Sequence, residues 1–437
     1  MSARRVVPTI LAALAAATLL ATACAPDGSL DARSGATAVP TTRIPHAPDD
    51  PFTLTTLPHG DLVYASSRSS FVALDGGSGG PRYERPASLL SADGTDLFTT
   101  EVIAESTNVV SSDPATGEAR WSTTLAGAWT GRVVAPNGGQ LALLPVEVPA
   151  SSGPGVEDGY LAPSRTRSSI VVTSRDGNAP LRFDLDGNYE PEAFAVDGSA
   201  LYLVEFTPAQ QPDHYTVRRL DLRTGFVDGV YGNNKELQGA MPGRSRNFVS
   251  APDGHARYTL YTMLMPPDGH DPRGGHPPGP PHAAGETHGF VHVLDMRYGT
   301  ADCIDLPRPF GLQDPEGLAI AADPTGAWFA VADVDTGVLG IVDVNQRLLV
   351  RTLPIDTMAG GRTSLATTAD GRLVVARGTT IAVLDAGGRR VASWEAPAAV
   401  DSLTVSAAPS RIYVSAAGRI HAYDLTGTPL ADLPPLA

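Results

Sequence analysis

The strongest constraint on this chain is a pair of turn signals that alternate eight times along it. The first is a polar turn after a short apolar run. It occurs at His59-Gly60, Asp93-Gly94, Asn137-Gly138, Asp197-Gly198, Asp253-Gly254, Asp323 to Gly326, Asp370-Gly371 and Pro409-Ser410. The second is an apolar run that closes on an aspartate: Asp75, Asp113, Asp176, Asp221, Asp295, Asp343, Asp385 and Asp424. Glycine supplies the positive φ that tight turns demand, and an aspartate carboxylate accepts the amide hydrogens of the bend after it, so both signals read as strand ends. A fourth apolar segment follows, as at 120–125, 303–306 and 391–394.

The clearest unit lies at 316–345, where strands are predicted over 318–322, 328–333 and 338–342, with a fourth over 348–353. Four strands joined by such turns form an antiparallel meander, which cannot bury both of its faces alone. Eight units in phase, each of about 40–50 residues, predict an all-β chain: a β-propeller of four-stranded antiparallel blades. Eight blades is the expectation. Seven is the alternative, because the unit at 51–90 is irregularly spaced and could instead complete a seventh blade.

Composition agrees. Gly and Pro together supply 83 of 437 residues and Lys occurs once, a poor mixture for long helices and a good one for short strands and turns.

The amino terminus reads as a targeting device. Residues 1–5 are basic and 6–23 are apolar and rich in Ala and Leu, ending in small residues before Cys24. A cysteine directly after such a run resembles the lipobox of bacterial lipoproteins, which implies lipidation of Cys24. Ala21 departs from the pattern, which has Leu at that place. The expected organisation is a lipoprotein signal peptide at 1–23, the lipidated cysteine and a flexible tether at 24–50, and the propeller at 51–437. The tether would hold the body on the order of 30 Å from its anchor. With Cys24 acylated, Cys303 has no partner for an internal disulfide, and strand alternation predicts a buried small side chain there.

The formal net charge is −15, which disfavours nucleic acid and anionic lipid as partners. The expected membrane link is the acyl anchor alone, and the expected location is extracytoplasmic. A monomer is expected, with an unidentified protein, peptide or glycan as ligand.

The stretch 315–326 resembles the repeats of YVTN/YncE-like propellers. Asp113 to Trp121 is similar to a repeat of the quinoprotein type, in which the tryptophan docks between blades, and 385–394 partly echoes it. The resemblance spans most of 52–437 and implies architecture. The cofactor-binding residues of the quinoprotein family have no counterparts here, so no cofactor is predicted.

Unequal loops give the best clue to a site. The second-to-third strand connections are expected to be long at 145–167, 206–214 and 265–289, three consecutive units on one face, which marks a ligand surface. The last of these carries His270, His276, His282 and His288 at intervals of six in a Pro/Gly background. Imidazoles ligate metals, but this background preorganises nothing, so the expectation is a solvated loop, with opportunistic binding of a divalent metal and then a dedicated metal site as the alternatives. Asp314 and Glu316, in a Pro-Glu-Gly turn, and Glu190 and Glu192 precede inner strands on the same face and are candidate ligand or metal residues. Similar turns line the metal-containing funnels of SMP-30-like lactonases. No nucleophile elbow, Cys/His pair or phosphate loop is present. The leading expectation is therefore a binding or scaffold lipoprotein. The alternative is a propeller enzyme, either a metal-assisted hydrolase or lactonase or a quinoprotein-type oxidoreductase, with acidic or histidine side chains converging on the central funnel.

Overall fold

The computed structural model describes residues 52–56, 61–67, 70–146, 160, 162–232, 237–264, 286–406 and 410–430. Cys24, the signal segment, the tether and His270, His276 and His282 lie outside them. Among the described residues no helix is long and apolar enough to cross a membrane.

The chain is an eight-bladed β-propeller. Blades 1 to 8 occupy 53–86, 88–126, 129–186, 188–229, 244–305, 318–354, 363–395 and 400–423, and in each the strands pair in sequence order. The irregular first unit is a full blade, with strands Thr53–Thr56, Leu62–Ser66, Ser70–Asp75 and Pro81–Pro86. The template unit falls where expected, at Leu318–Ala322, Trp328–Asp333, Val338–Asp343 and Leu348–Pro354. One correction concerns blade 8, which has three strands among the described residues. The place of its fourth is held by a single bridge between Tyr423 and Pro429.

The two signals act as their chemistry requires. In blade 2, Asp113 Oδ1 accepts the amide hydrogens of Ala115 at 2.7 Å and Thr116 at 3.0 Å. Asp424 does the same for Thr426 and Thr428 in blade 8. The turn glycine also receives the neighbouring blade. Gly427, at φ +88°, lies under the indole of Trp394 from blade 7, and a Cβ there would sit 2.6 Å from the ring. Tyr83 of blade 1 takes the same seat on Gly117 of blade 2, and Phe183 of blade 3 packs on Gly225 of blade 4. Trp121, the docking tryptophan implied by the quinoprotein-like repeat, packs against the cluster between blades 2 and 3, while Trp394 of the partial echo takes a glycine seat that tyrosine and phenylalanine fill elsewhere.

Apolar packing between blades supplies the cohesion. Each of the eight interfaces has its own buried cluster, such as Val291, Phe310, Leu318 and Phe329 between blades 5 and 6. Each fully buried Phe or Leu contributes roughly 2 kcal/mol. Among the described residues blade 1 meets blade 8 directly, without exchanging a strand. Ser402 Oγ donates to the Phe52 carbonyl at 2.6 Å and accepts from Leu54 N at 3.1 Å, and Tyr413 of blade 8 packs with Leu54 and Val72. Charged clasps reinforce other seams. The buried carboxylate of Asp96 in blade 2 takes Arg175 Nη1 of blade 3 at 2.5 Å and Ser111 Oγ at 2.6 Å.

Candidate functional site

Consecutive strands alternate in direction, so first-to-second and third-to-fourth turns share one face of the ring. Second-to-third connections and the links between blades share the other. On that second face the connection spans 146–166 in blade 3, 208–213 in blade 4 and 265–286 in blade 5, against 334–337 in blade 6 and 378–379 in blade 7. The expected asymmetry is present, with its boundaries corrected: Phe206, Thr207 and His214 belong to the strands of blade 4. The strand Thr287–Asp295 of blade 5 starts inside the expected loop and pairs back to Leu264. His288 is therefore a strand residue, 2 % exposed, stacked on Phe290, with Nε2 3.4 Å from Asp305 Oδ1. Sequence alternation missed this because the loop's histidine spacing runs unbroken into the strand.

The links between blades are also long in this sector: 230–243, 306–317 and 355–362, whereas blades 1 and 2 are joined across a single residue, 87. These links deliver the chain to the starts of the inner strands Arg244–Ser250, Leu318–Ala322 and Thr363–Thr367. Side chains at those starts rim the ring axis on the long-loop face.

Tyr160, from the blade 3 connection, crosses this rim. Its N–H donates to the Ser245 carbonyl on the inner strand of blade 5 at 2.8 Å. Its hydroxyl donates to both carboxylate oxygens of Glu190, on the inner strand of blade 4, at 2.7 and 2.8 Å. Burial of the hydroxyl, and then the Glu190 charge, push the phenol pKa up. Arg165 closes the group, reaching Glu190 Oε1 at 3.3 Å and the Tyr189 carbonyl at 3.1 Å.

The carboxylates singled out in the sequence all lie near inner-strand starts, but each faces an arginine and they do not meet as one ligand set. Asp314 caps the short 3-10 turn Pro315–Gly317, accepting from Glu316 N at 3.0 Å, and lies 3.2 Å from Arg377 Nη2. Glu316 faces Arg246 at 3.7 Å and Arg362 at 3.9 Å. Glu192 Oε1 lies 3.0 Å from Arg257 Nε, Arg257 Nη1 donates to the Glu192 carbonyl at 2.6 Å, and the Arg257 guanidinium also covers the Phe248 ring at 3.6 Å. Among the described residues no three His, Cys, Asp or Glu side chains are grouped to hold a metal ion.

The Pro-Glu-Gly turn has a packing explanation. A Cβ on Gly317 would lie 2.1 Å from Asp335 Oδ2 and 3.1 Å from Arg377 Nη1. Arg377 is itself buried, with Nη1 2.6 Å from Asp335 Oδ1 and Nε donating to the Gly361 carbonyl at 2.9 Å, so it clasps blade 7 to blade 6. Beneath it, Asp333 accepts from Gly311 N at 2.7 Å, and burial raises its pKa.

Sequence reasoning did not single out Tyr160 or the arginines. The adjacency Arg244-Ser-Arg246 just after a link between blades was the available signal, since every inner strand starts on the long-loop face.

No family model matches the chain, and no curated protein does. Solved structures are similar at low identity. Hydrazine synthase of Kuenenia stuttgartiensis is 16% identical over 77% of this chain and 95% of its own, with a TM-score of 0.44. BamB from Moraxella catarrhalis is 13% identical over 84% and 97%, with 0.42, and the Dos1 propeller is 11% identical over 88% and 94%, with 0.49. The architecture rests on the chain's own eight sheets and eight interblade cores.

Proposed function

We propose that the protein is an extracytoplasmic binding or scaffold protein, anchored through a lipid on Cys24, that holds a protein, peptide or glycan ligand on its long-loop face. One observation carries the reading. The long connections of blades 3 to 5 and the long links after blades 4 to 6 fall in one sector of one face, and Tyr160 is tied there to two other blades. Folding a blade needs none of this extra chain, since blades 1 and 2 close with short connections on the same face. The lipobox-like sequence before Cys24 supports the anchor and the location.

The test is crosslinking in intact cells with the wild-type protein and a variant in which 147–158 and 266–285 are replaced by short Gly/Ser links. A discrete crosslinked species lost in the trimmed, folded variant supports the proposal. The same species retained at equal yield refutes it.

A further inference from the structure

We propose that Gln238, held between Val217 of blade 4 and His292 of blade 5, is an acid-released latch on the link that joins those two blades. The inference does not depend on the ligand reading.

The latch fills a gap in blade 4. Its third strand, His214–Asp221, is paired on its outer side by two short pieces instead of one strand. Val227–Gly229 covers Arg218 to Leu220, and Met241–Pro242, from the end of the link, covers His214 and Tyr215. Neither piece pairs with Val217. Its N–H donates instead to the side-chain Oε1 of Gln238 at 3.1 Å, so a glutamine stands where a strand would. The Gln238 backbone N–H donates to the Val230 carbonyl at 2.9 Å, which seats the residue across the base of the link.

The Val217 bond fixes how the amide lies. Oε1 must accept from Val217, so Nε2 is turned to His292 Nε2 at 3.1 Å and to Met241 Sδ at 3.5 Å. An amide nitrogen only donates, and His292 Nε2 must therefore be the bare nitrogen of a neutral ring. A proton there sets N–H against N–H. Turning the amide over restores the His292 bond but puts the NH2 group against the Val217 N–H. A protonated His292 thus breaks one of the two bonds whichever way the amide lies.

The surroundings of His292 do not offset its charge. The ring is 2 % exposed and is met edge-on by Tyr215 from the third strand of blade 4 and Tyr261 from the second strand of blade 5. Cys303 is its cross-strand partner on the fourth strand. Phenols and thiols stay neutral in mild acid. Arg257, on the second strand and paired with Glu192 of blade 4, acts on the ring as a cation, so burial first and this charge second hold the imidazole neutral. Opening the latch gives the ring water and a proton, and opening is therefore favoured as pH falls from 6.5 towards 4. The segment from Leu237 to Pro242 runs through Gly243 into the inner strand Arg244–Ser250, so its release loosens the start of that strand on the long-loop face.

The experiment is hydrogen exchange of the full-length protein at pH 7 and pH 5, read at the Val217 amide, with the Leu203 amide of the second strand of blade 4 as reference. Protection is taken relative to the unstructured chain at the same pH. In wild type, protection at Val217 should fall about tenfold from pH 7 to pH 5 and should not respond to low urea, because a local opening exposes little surface. Leu203 should respond to urea, since it opens with the blade as a whole. His292→Gln keeps an acceptor for Gln238 Nε2 and takes up no proton, so its Val217 protection should be equal at both pH values. Gln238→Ala should leave Val217 unprotected at both. A wild-type Val217 protection indifferent to pH, a fall that persists in His292→Gln, a urea response equal to that of Leu203, or protection that survives Gln238→Ala would each overturn the latch.

Discussion

The backbone N–H of Tyr160 donates to the Ser245 carbonyl at 2.8 Å, tying a connection of blade 3 to the inner strand of blade 5. The phenol completes the tie through two bonds to Glu190 of blade 4. Tyr160→Phe removes those bonds and leaves the ring on Phe206. Global stability should change by less than about 1 kcal/mol, because the ring is half-exposed. The Tyr160 amide should exchange with solvent about fivefold faster. Unchanged protection, read by hydrogen exchange, would show that the phenol does not hold the crossing in place.

Turn glycines under aromatic rings should be the most sensitive to a methyl group. Gly427→Ala must accommodate both φ +88° and a Cβ 2.6 Å from the Trp394 indole. It should cost about 3 kcal/mol, with blade 8 loosened first. Gly177 has a similar φ of +77° but nothing within 4 Å of its Cβ position. Gly177→Ala should therefore cost about 1 kcal/mol, the backbone strain alone. Equal losses in urea unfolding would mean that the indole does not dock as described.

His292 gives the fold a mild-acid dependence. It is 2 % exposed, its Nε2 lies 3.1 Å from Gln238 Nε2, and the rings of Tyr215 and Tyr261 meet it edge-on. Burial, helped by the Arg257 charge, lowers its pKa from 6.5 to about 4. Between those values the unfolded chain binds a proton that the folded protein does not. The stabilisation from neutral His292 is whole above pH 6.5 and drains as pH falls towards 4, by on the order of 3 kcal/mol. His292→Gln should flatten the stability profile across that window, and an unaltered slope would remove His292 as its source.

Much of the architecture was legible because one Asp or Gly per turn is a local signal with a local cause. Asp113, Asp221 and Asp424 mark strand ends through bonds to amides within four residues. The rim was less legible, since its contacts join residues far apart in the chain: Tyr160 with Ser245, Arg246 with Glu316, Arg377 with Asp314. Glu192, Asp314 and Glu316 carry the composition of a cation site, and only the fold reveals the arginine facing each one. Cys303, expected to be buried, is half-buried, because it lies on the outermost strand of blade 5, with Sγ 3.2 Å from Met241 Sδ.

The proposed anchor makes its own prediction. Cys24→Ser should abolish labelling by a fatty-acid analogue and release the protein from the membrane fraction. Full retention with no label would place the membrane link elsewhere in the chain.

The central claim is that ligand is held on the long-loop face, and face-resolved photocrosslinking in intact cells tests it most directly. Benzoylphenylalanine would replace Tyr160 and Leu264 on that face, and Phe226 and Tyr298 in the third-to-fourth strand turns of the opposite face. Tyr160 is half-exposed, and the other three positions are well exposed. The account predicts one discrete crosslinked species from Tyr160 and Leu264 and none from Phe226 and Tyr298. The same species from Phe226 and Tyr298, with none from Tyr160 and Leu264, would contradict it.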